Sequence, residues 1–156
     1  NPDIIWASPP CTTFSIASCG HHWNAPDDMG NRIPKTKEAE TGLLLLEKTI
    51  WIMNELQPKY YIIENPRGLM RKMGAVEYLT RHTITYCQYG DTRMKPTDIW
   101  TNLDWKPKAM CKNGDSCHEA APRGSRTGTQ GLKHKYDKSK LPYELCKEIL
   151  ENINVY

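Results

Sequence analysis

The sequence predicts an α/β domain, a sheet with helices on its faces, from three observations. Apolar segments follow one another as strand, helix, strand, helix, strand, the order that builds such sheets. The longest segment has helical spacing, whereas the short apolar runs are rich in Ile, Tyr and Trp and end abruptly at prolines. The 156 residues, 38% hydrophobic and 25% charged, suit one ordinary domain with a buried core and exclude a wholly disordered chain.

Residues 3–7 hold two isoleucines and Trp6 and stop at Ser8-Pro9-Pro10, where proline ends ladder pairing, so a buried strand feeding a loop is expected. Residues 11–37 are rich in Ser, Thr, Gly, Pro, Asn and Asp without periodicity. A loop of that length in a compact domain is expected to act as a lid or binding loop. Over residues 38–56, Leu43, Leu46, Ile50 and Met53 repeat at helical spacing, Leu45, Ile52 and Leu56 widen the stripe, and Pro58 ends it. Tyr60-Tyr61-Ile62-Ile63 reads as a second strand ending at Glu64-Asn65-Pro66-Arg67-Gly68. A broken helical stretch is expected over 69–79, strands over 82–89 and 98–102, and a closing helix over 141–153 with Pro142 near its start. Ligands bind such sheets at the carboxyl ends of the strands, where the loops at Cys11 and Glu64 lie.

The net charge of +3 is too mild to mark a nucleic-acid binder. Its distribution says more: residues 104–140 carry nine basic and four acidic side chains, +5, and the rest sums to −2. That Gly- and Pro-containing segment reads as a basic irregular lobe suited to phosphates, or equally as a solvated loop. Six cysteines without regular spacing argue for reduced thiols and a cytoplasmic setting. No apolar run reaches the roughly 20 residues of a membrane span. The opening Asn-Pro-Asp-Ile-Ile-Trp-Ala has neither a starting Met nor signal-peptide character, so the chain is expected to be cut into at its front.

Cys11 follows two prolines whose fixed φ angles hold the turn and present the thiol at the sheet edge. A lone cysteine is more often a small buried hydrophobe than a nucleophile. Glu64, at the end of the next strand in an equally constrained loop, changes that balance. A thiol beside a carboxyl group combines a nucleophile with a proton donor or acceptor.

Ser8-Pro9-Pro10-Cys11-Thr12-Thr13-Phe14-Ser15 resembles the Pro-Cys loop of DNA (cytosine-5)-methyltransferases. Ile62-Ile63-Glu64-Asn65-Pro66 resembles their Glu-Asn-Val element with Pro66 in place of Val, and the stretch from Tyr89 to Trp100 resembles their later Tyr-Gly…Gln-x-Arg-x-Arg segment. All three stand in the family's order and separation, across residues 3–102. The resemblance implies a Rossmann-like S-adenosylmethionine-dependent methyltransferase sheet, present in part, with a short basic target-recognition lobe. It divides the chain into a catalytic core over 1–103, the lobe over 104–140, and a helix over 141–156 returning to the core.

It also implies that Cys11, as thiolate, attacks carbon 6 of a cytosine taken out of the duplex, because stacked DNA leaves neither face of that carbon open to a thiol. Glu64 would hold the cytosine edge while carrying or sharing a proton, and Asn65 would brace the loop. Pro9, Pro10 and Asn65 would border the cofactor, S-adenosylmethionine. Aligned without gaps, the Gln-x-Arg-x-Arg pattern falls on Arg93, Lys95 and Thr97, so Lys95 alone keeps a cation where arginine is expected. Lys95, Arg93 in its stead, or a register shifted by two would supply the charge; otherwise both side chains mark a solvated strand edge. Ser15, Lys106, Arg126 and Lys133 are expected to meet double-stranded DNA, with Lys108, Arg123 and Lys135 as further candidates and Trp23 and Arg32 reaching it from the lid.

The family's Phe-x-Gly-x-Gly cofactor loop is absent from the chain, which is therefore expected to be inactive by itself. Cys111, Cys117 and His118 form a Cys-x5-Cys-His cluster that could bind a structural zinc ion, with His134 as a fourth ligand; unligated thiols are the plainer expectation. Cys19, His21 and His22 invite the same thought but read better as part of the lid. The other readings are an RNA cytosine methyltransferase acting on transfer RNA and a non-catalytic DNA-binding remnant or subunit of a split enzyme. A bacterial or bacteriophage origin is expected.

Overall fold

The computed structural model describes residues 1–120, 132 and 134–153. The chain forms two compact units, residues 1–82 with 98–102, and residues 83–97 with 103–156.

The first unit is built on β1 (Ile4–Ala7) and β2 (Tyr60–Pro66). They pair in parallel from Ile4 with Tyr60 to Ala7 with Ile63, which requires a crossover between them. A short α1 (Cys19–His22) and the long α2 (Lys37–Leu56) lie in that crossover. The α2 helix starts where Thr36 Oγ1 accepts from the Ala39 amide at 3.2 Å, and Glu38 and Glu40 stand in the first turn. It ends on Gln57 in the left-handed region at φ 42°, before Pro58.

Ala39, Leu46 and Met53 of α2 enter a core with Phe14, Trp23, Ile63, Met70, Val76 and Trp100, and Leu43 and Ile50 pack at its margin. Leu45, Ile52 and Leu56 are exposed, so the buried stripe is narrower than the sequence pattern suggested.

Two further strands, β3 (Arg81–Thr85) and β4 (Pro96–Thr101), complete the sheet order β1-β2-β4-β3. The end of β4 meets the starts of both neighbours. Thr101 Oγ1 donates to Tyr61 O at 2.6 Å and the Thr101 amide to Thr80 O at 3.1 Å. β4 therefore runs against β1, β2 and β3, and the sheet is mixed. The strand expected over 82–89 stops at Thr85, and Tyr86–Tyr89 forms a 3-10 turn closed by Gly90 at φ 83°. Tyr86 and Tyr89 are buried in this turn, so aromatic composition did not separate strand from turn. The broken helix expected over 69–79 is a 3-10 turn at Leu69–Lys72 followed by turns.

The second unit also holds α3 (Lys135–Ser139) and α4 (Tyr143–Glu151). Leu145, Ile149 and Ile153 are buried, as are Tyr89, Leu103 and Trp105. Glu148 Oε1 accepts from Trp105 Nε1 at 2.9 Å and from the Tyr89 hydroxyl at 3.2 Å, anchoring α4 to the Tyr86–Tyr89 turn. The closing helix thus packs within this unit. Among the described residues no helix is long and apolar enough to cross a membrane.

Candidate active site

The parallel register that pairs Ala7 with Ile63 makes Ser8 and Glu64 the next residues along adjacent strands. β2 runs on through Glu64 and Asn65 to Pro66 rather than ending before them, so the loop carrying Cys11 leaves the sheet beside the last residues of β2, at the sheet's carboxyl end. They are joined at two points. Asn65 Nδ2 donates to the buried Pro9 carbonyl at 2.7 Å, and the Leu69 amide donates to Phe14 O at 2.7 Å beside an antiparallel bridge between Ser15 and Gly68. A Cβ at Gly68 would lie 2.3 Å from Phe14 O, so only glycine permits this approach.

Between the joints, the Phe14 amide donates to Cys11 O at 3.0 Å and closes a turn on the cysteine. The indole N–H of Trp23 donates to Thr13 O at 2.9 Å, and its ring lies 5.3 Å from that of Phe14. Gly42 of α2 faces Thr13 so closely that an added Cβ would stand 2.7 Å from Thr13 Oγ1. The cysteine loop is thereby held from the sheet, from α2 and from the following segment.

Cys11 is half-buried, whereas Glu64 and Asn65 are buried, 6% and 1% exposed. Asn65 Oδ1 has no hydrogen-bond partner among the described residues. A buried acceptor of that kind is costly unless something donates to it. A cleft of about 490 Å³ lies between the cysteine loop and α2, lined by Pro10, Thr12, Thr13, Lys37, Thr41 and Leu45 among others. A second cavity of about 450 Å³, between Met53, Pro58, Tyr61 and Tyr78, lies at the amino end of β2 and away from these loops. The orphaned Asn65 oxygen suits an acceptor at the border of an S-adenosylmethionine site; the glycine-rich loop expected of such a site is not among the 156 residues.

Arg93 and Lys95 belong to the second unit and are not a solvated edge. Arg93 is 5% exposed, and its Nε donates to both Asp91 carboxylate oxygens at 2.9 and 3.1 Å. Its terminal nitrogens reach Asp137 O, Lys138 O and Lys140 O at 3.1 to 3.3 Å. Lys95 Nζ donates to Lys138 O at 2.8 Å and lies 4.6 Å from the Tyr86 ring. Both cations thus hold the segment at α3. Burial by itself raises the Asp91 carboxyl, but hydrogen bonds and charge from Arg93 outweigh it and keep the group below its ordinary value.

The cysteine cluster also lies in this unit, with an unforeseen member. Cys87, Cys111, Cys117 and His118 bring their ligand atoms within 4.8 Å of one another. Burial, then the hydrogen bond with Cys111, push the Cys87 thiol up to about 12. His134, expected as the fourth ligand, is the exposed residue capping α3. Cys19, His21 and His22 form no such group among the described residues; His22 Nδ1 pairs with Thr36 Oγ1 at 2.8 Å.

Trp23 is buried against Phe14 and does not face DNA, because the indole fills the space under the cysteine loop. Ser15 pairs with Ser18 through their hydroxyls at 2.8 Å. Lys106 is exposed, and Lys108 is engaged with Gln88 O at 3.1 Å. Arg123, Arg126, Lys133 and the Lys135 side chain lie outside the described residues. Sequence reasoning missed the clamp of Arg71 on the buried Asp98, with Nε donating at 3.0 Å. It also missed the roles of Gly68 and Cys87, which only chain closure brings to their partners, and of Asp91, whose partner Arg93 stands two residues on.

The fold and these loops define an α/β protein that presents a thiol and a carboxyl group at the carboxyl ends of two adjacent parallel strands. The C-5 cytosine-specific DNA methylase family matches residues 1–84. The chain belongs to that family. It is 33% identical over 120 residues to a protein of Frog virus 3 (isolate Goorha) named as a probable DNA (cytosine-5)-methyltransferase, an alignment covering 74% of this chain and 53% of that protein. A Methanocaldococcus jannaschii protein named as a putative type II methyltransferase is 27% identical over 115 residues, 68% of this chain and 29% of its own length. The chain thus spans about half the length of one relative and under a third of the other. No solved structure matches it.

Proposed function

We propose that this chain carries the nucleophile and base-holding part of a DNA cytosine-5 methyltransferase, and that its mixed sheet is part of a Rossmann-like, S-adenosylmethionine-dependent fold. One observation supports this most: the Cys11 loop leaves β1 beside the end of β2 that carries Glu64, and the two are tied by the Asn65–Pro9 hydrogen bond.

In this reading Cys11 Sγ forms a bond to carbon 6 of an extruded cytosine, and the electrons of the 5,6 double bond move onto carbon 5 and ring nitrogen 3. Glu64, buried beside the thiol's loop, holds the nitrogen 3 and amino edge where that charge gathers. Bound S-adenosylmethionine supplies an electrophilic methyl group, with Pro9, Pro10 and Asn65 at its border. Loss of the carbon 5 proton then restores the double bond and releases the thiolate. Double-stranded DNA is the partner, met by Ser15, Lys106, Arg126 and Lys133.

Methylation by the full-length protein, with duplex DNA and transfer RNA in competition, tests the reading. DNA should be methylated in preference. Cys11→Ser should abolish turnover, and Glu64→Gln should slow it at least about 100-fold, the lower range for a positioned acid or base. Full activity in either variant, or preference for transfer RNA, contradicts it.

A further inference from the structure

We propose that Cys87, Cys111, Cys117 and His118 bind one zinc ion that fastens the irregular segment after β4 to the Tyr86–Tyr89 turn.

Three cysteines and one histidine are a donor set that selects zinc over oxygen-seeking cations. The separations suit it. With Zn–S near 2.3 Å and Zn–N near 2.0 Å, a tetrahedral site needs S···N distances of about 3.5 Å and S···S distances of about 3.8 Å. His118 Nδ1 lies 3.6 Å from both the Cys111 and Cys117 sulfurs, and the Cys117 and Cys87 sulfurs are 3.6 Å apart. The Cys87 and Cys111 sulfurs, 3.0 Å apart, need only a small opening; both cysteines are free and the gap is well beyond a disulfide bond.

The surroundings give the ion a purpose. Residues 112–117 are all exposed and contain neither helix nor strand, so apolar burial cannot hold them. The backbone nonetheless folds back toward its ligand partners. The Cys111 amide donates to Thr85 Oγ1 at 3.0 Å, the Lys112 amide to Asp115 Oδ2 at 2.7 Å, and Glu119 N to Thr92 O at 2.9 Å. Cys87 and Cys111 are buried, whereas the exposed segment that carries Cys117 has no core to hold it against them, the situation in which metal binding supplies folding energy. Gln88 Nε2, 3.4 Å from the Cys117 sulfur, is placed as an outer hydrogen-bond donor to that thiolate.

The test uses the full chain under reducing conditions. Zinc content is measured, affinity is read by competition with a chromophoric chelator, and cobalt(II) is substituted for its tetrahedral thiolate spectrum. The expected result is one zinc per chain and that spectrum. Cys117→Ser, at an exposed site that should leave folding intact, should weaken zinc at least about 100-fold, since even outer-layer partners are worth 10- to 100-fold; Cys146→Ser should bind as the parent does. Chains without stoichiometric zinc, unchanged affinity in Cys117→Ser, or a Cys87–Cys111 disulfide in the freshly isolated protein would overturn the proposal. None of these outcomes depends on methyltransferase activity.

Discussion

Asn65 has two jobs at one residue: its amide nitrogen ties the cysteine loop and its oxygen stays buried without a partner. Asn65→Ala leaves the Pro9 carbonyl unsatisfied in a buried place, at a cost of about 1–3 kcal/mol. Denaturant unfolding should show that loss, and methylation should fall because Cys11 is no longer held. An unchanged midpoint would mean that the bond contributes nothing. Gly68→Ala should be worse, because the new Cβ meets a backbone oxygen that cannot rotate away. At this scale the site was legible where residue type alone sets the role: the two prolines before Cys11 and the carboxyl near the end of β2. Gly68 was not, since its requirement arises only when Phe14 O arrives from another segment.

Among the elements, strands and helices were read well where a single force shaped them. β-branched and aromatic runs gave β1 and β2, and the Leu43, Leu46, Ile50, Met53 stripe gave α2. The 3-10 turn at Tyr86–Tyr89 was misread because a turn can bury tyrosines as fully as a strand does. The segment at α3 depends on charge rather than on burial of its own, through Arg93 and Asp91. Asp91 is depressed in the folded state, so its contribution is present above its ordinary value of 3.8 and lost as pH falls through the lower folded value. Acid titration of the second unit should show this loss, and Asp91→Asn should remove that part of the pH dependence. An identical acid profile in the variant would contradict the assignment.

For the molecule as a whole, the α/β class and the paired loops followed from sequence, and the family match over residues 1–84 agrees with the resemblance carried by Cys11 and Glu64. The fourth member of the cysteine cluster did not follow, because Cys87 is 24 residues from Cys111 and meets it only through the folded chain. The stretch from Tyr89 to Trp100 shows the same gap: its cations were visible, while the contacts by which Arg93 and Lys95 hold the segment at α3 were not. The measurement that bears most directly on the central claim is trapping with duplex DNA containing 5-fluorocytosine and S-adenosylmethionine, using the full-length protein. Fluorine at carbon 5 cannot leave as a proton does, so the Cys11 adduct should accumulate as a denaturation-resistant complex, mapped to Cys11 by mass spectrometry and missing in Cys11→Ser. A methylating protein that forms no such complex, or forms it through another residue, would contradict the account.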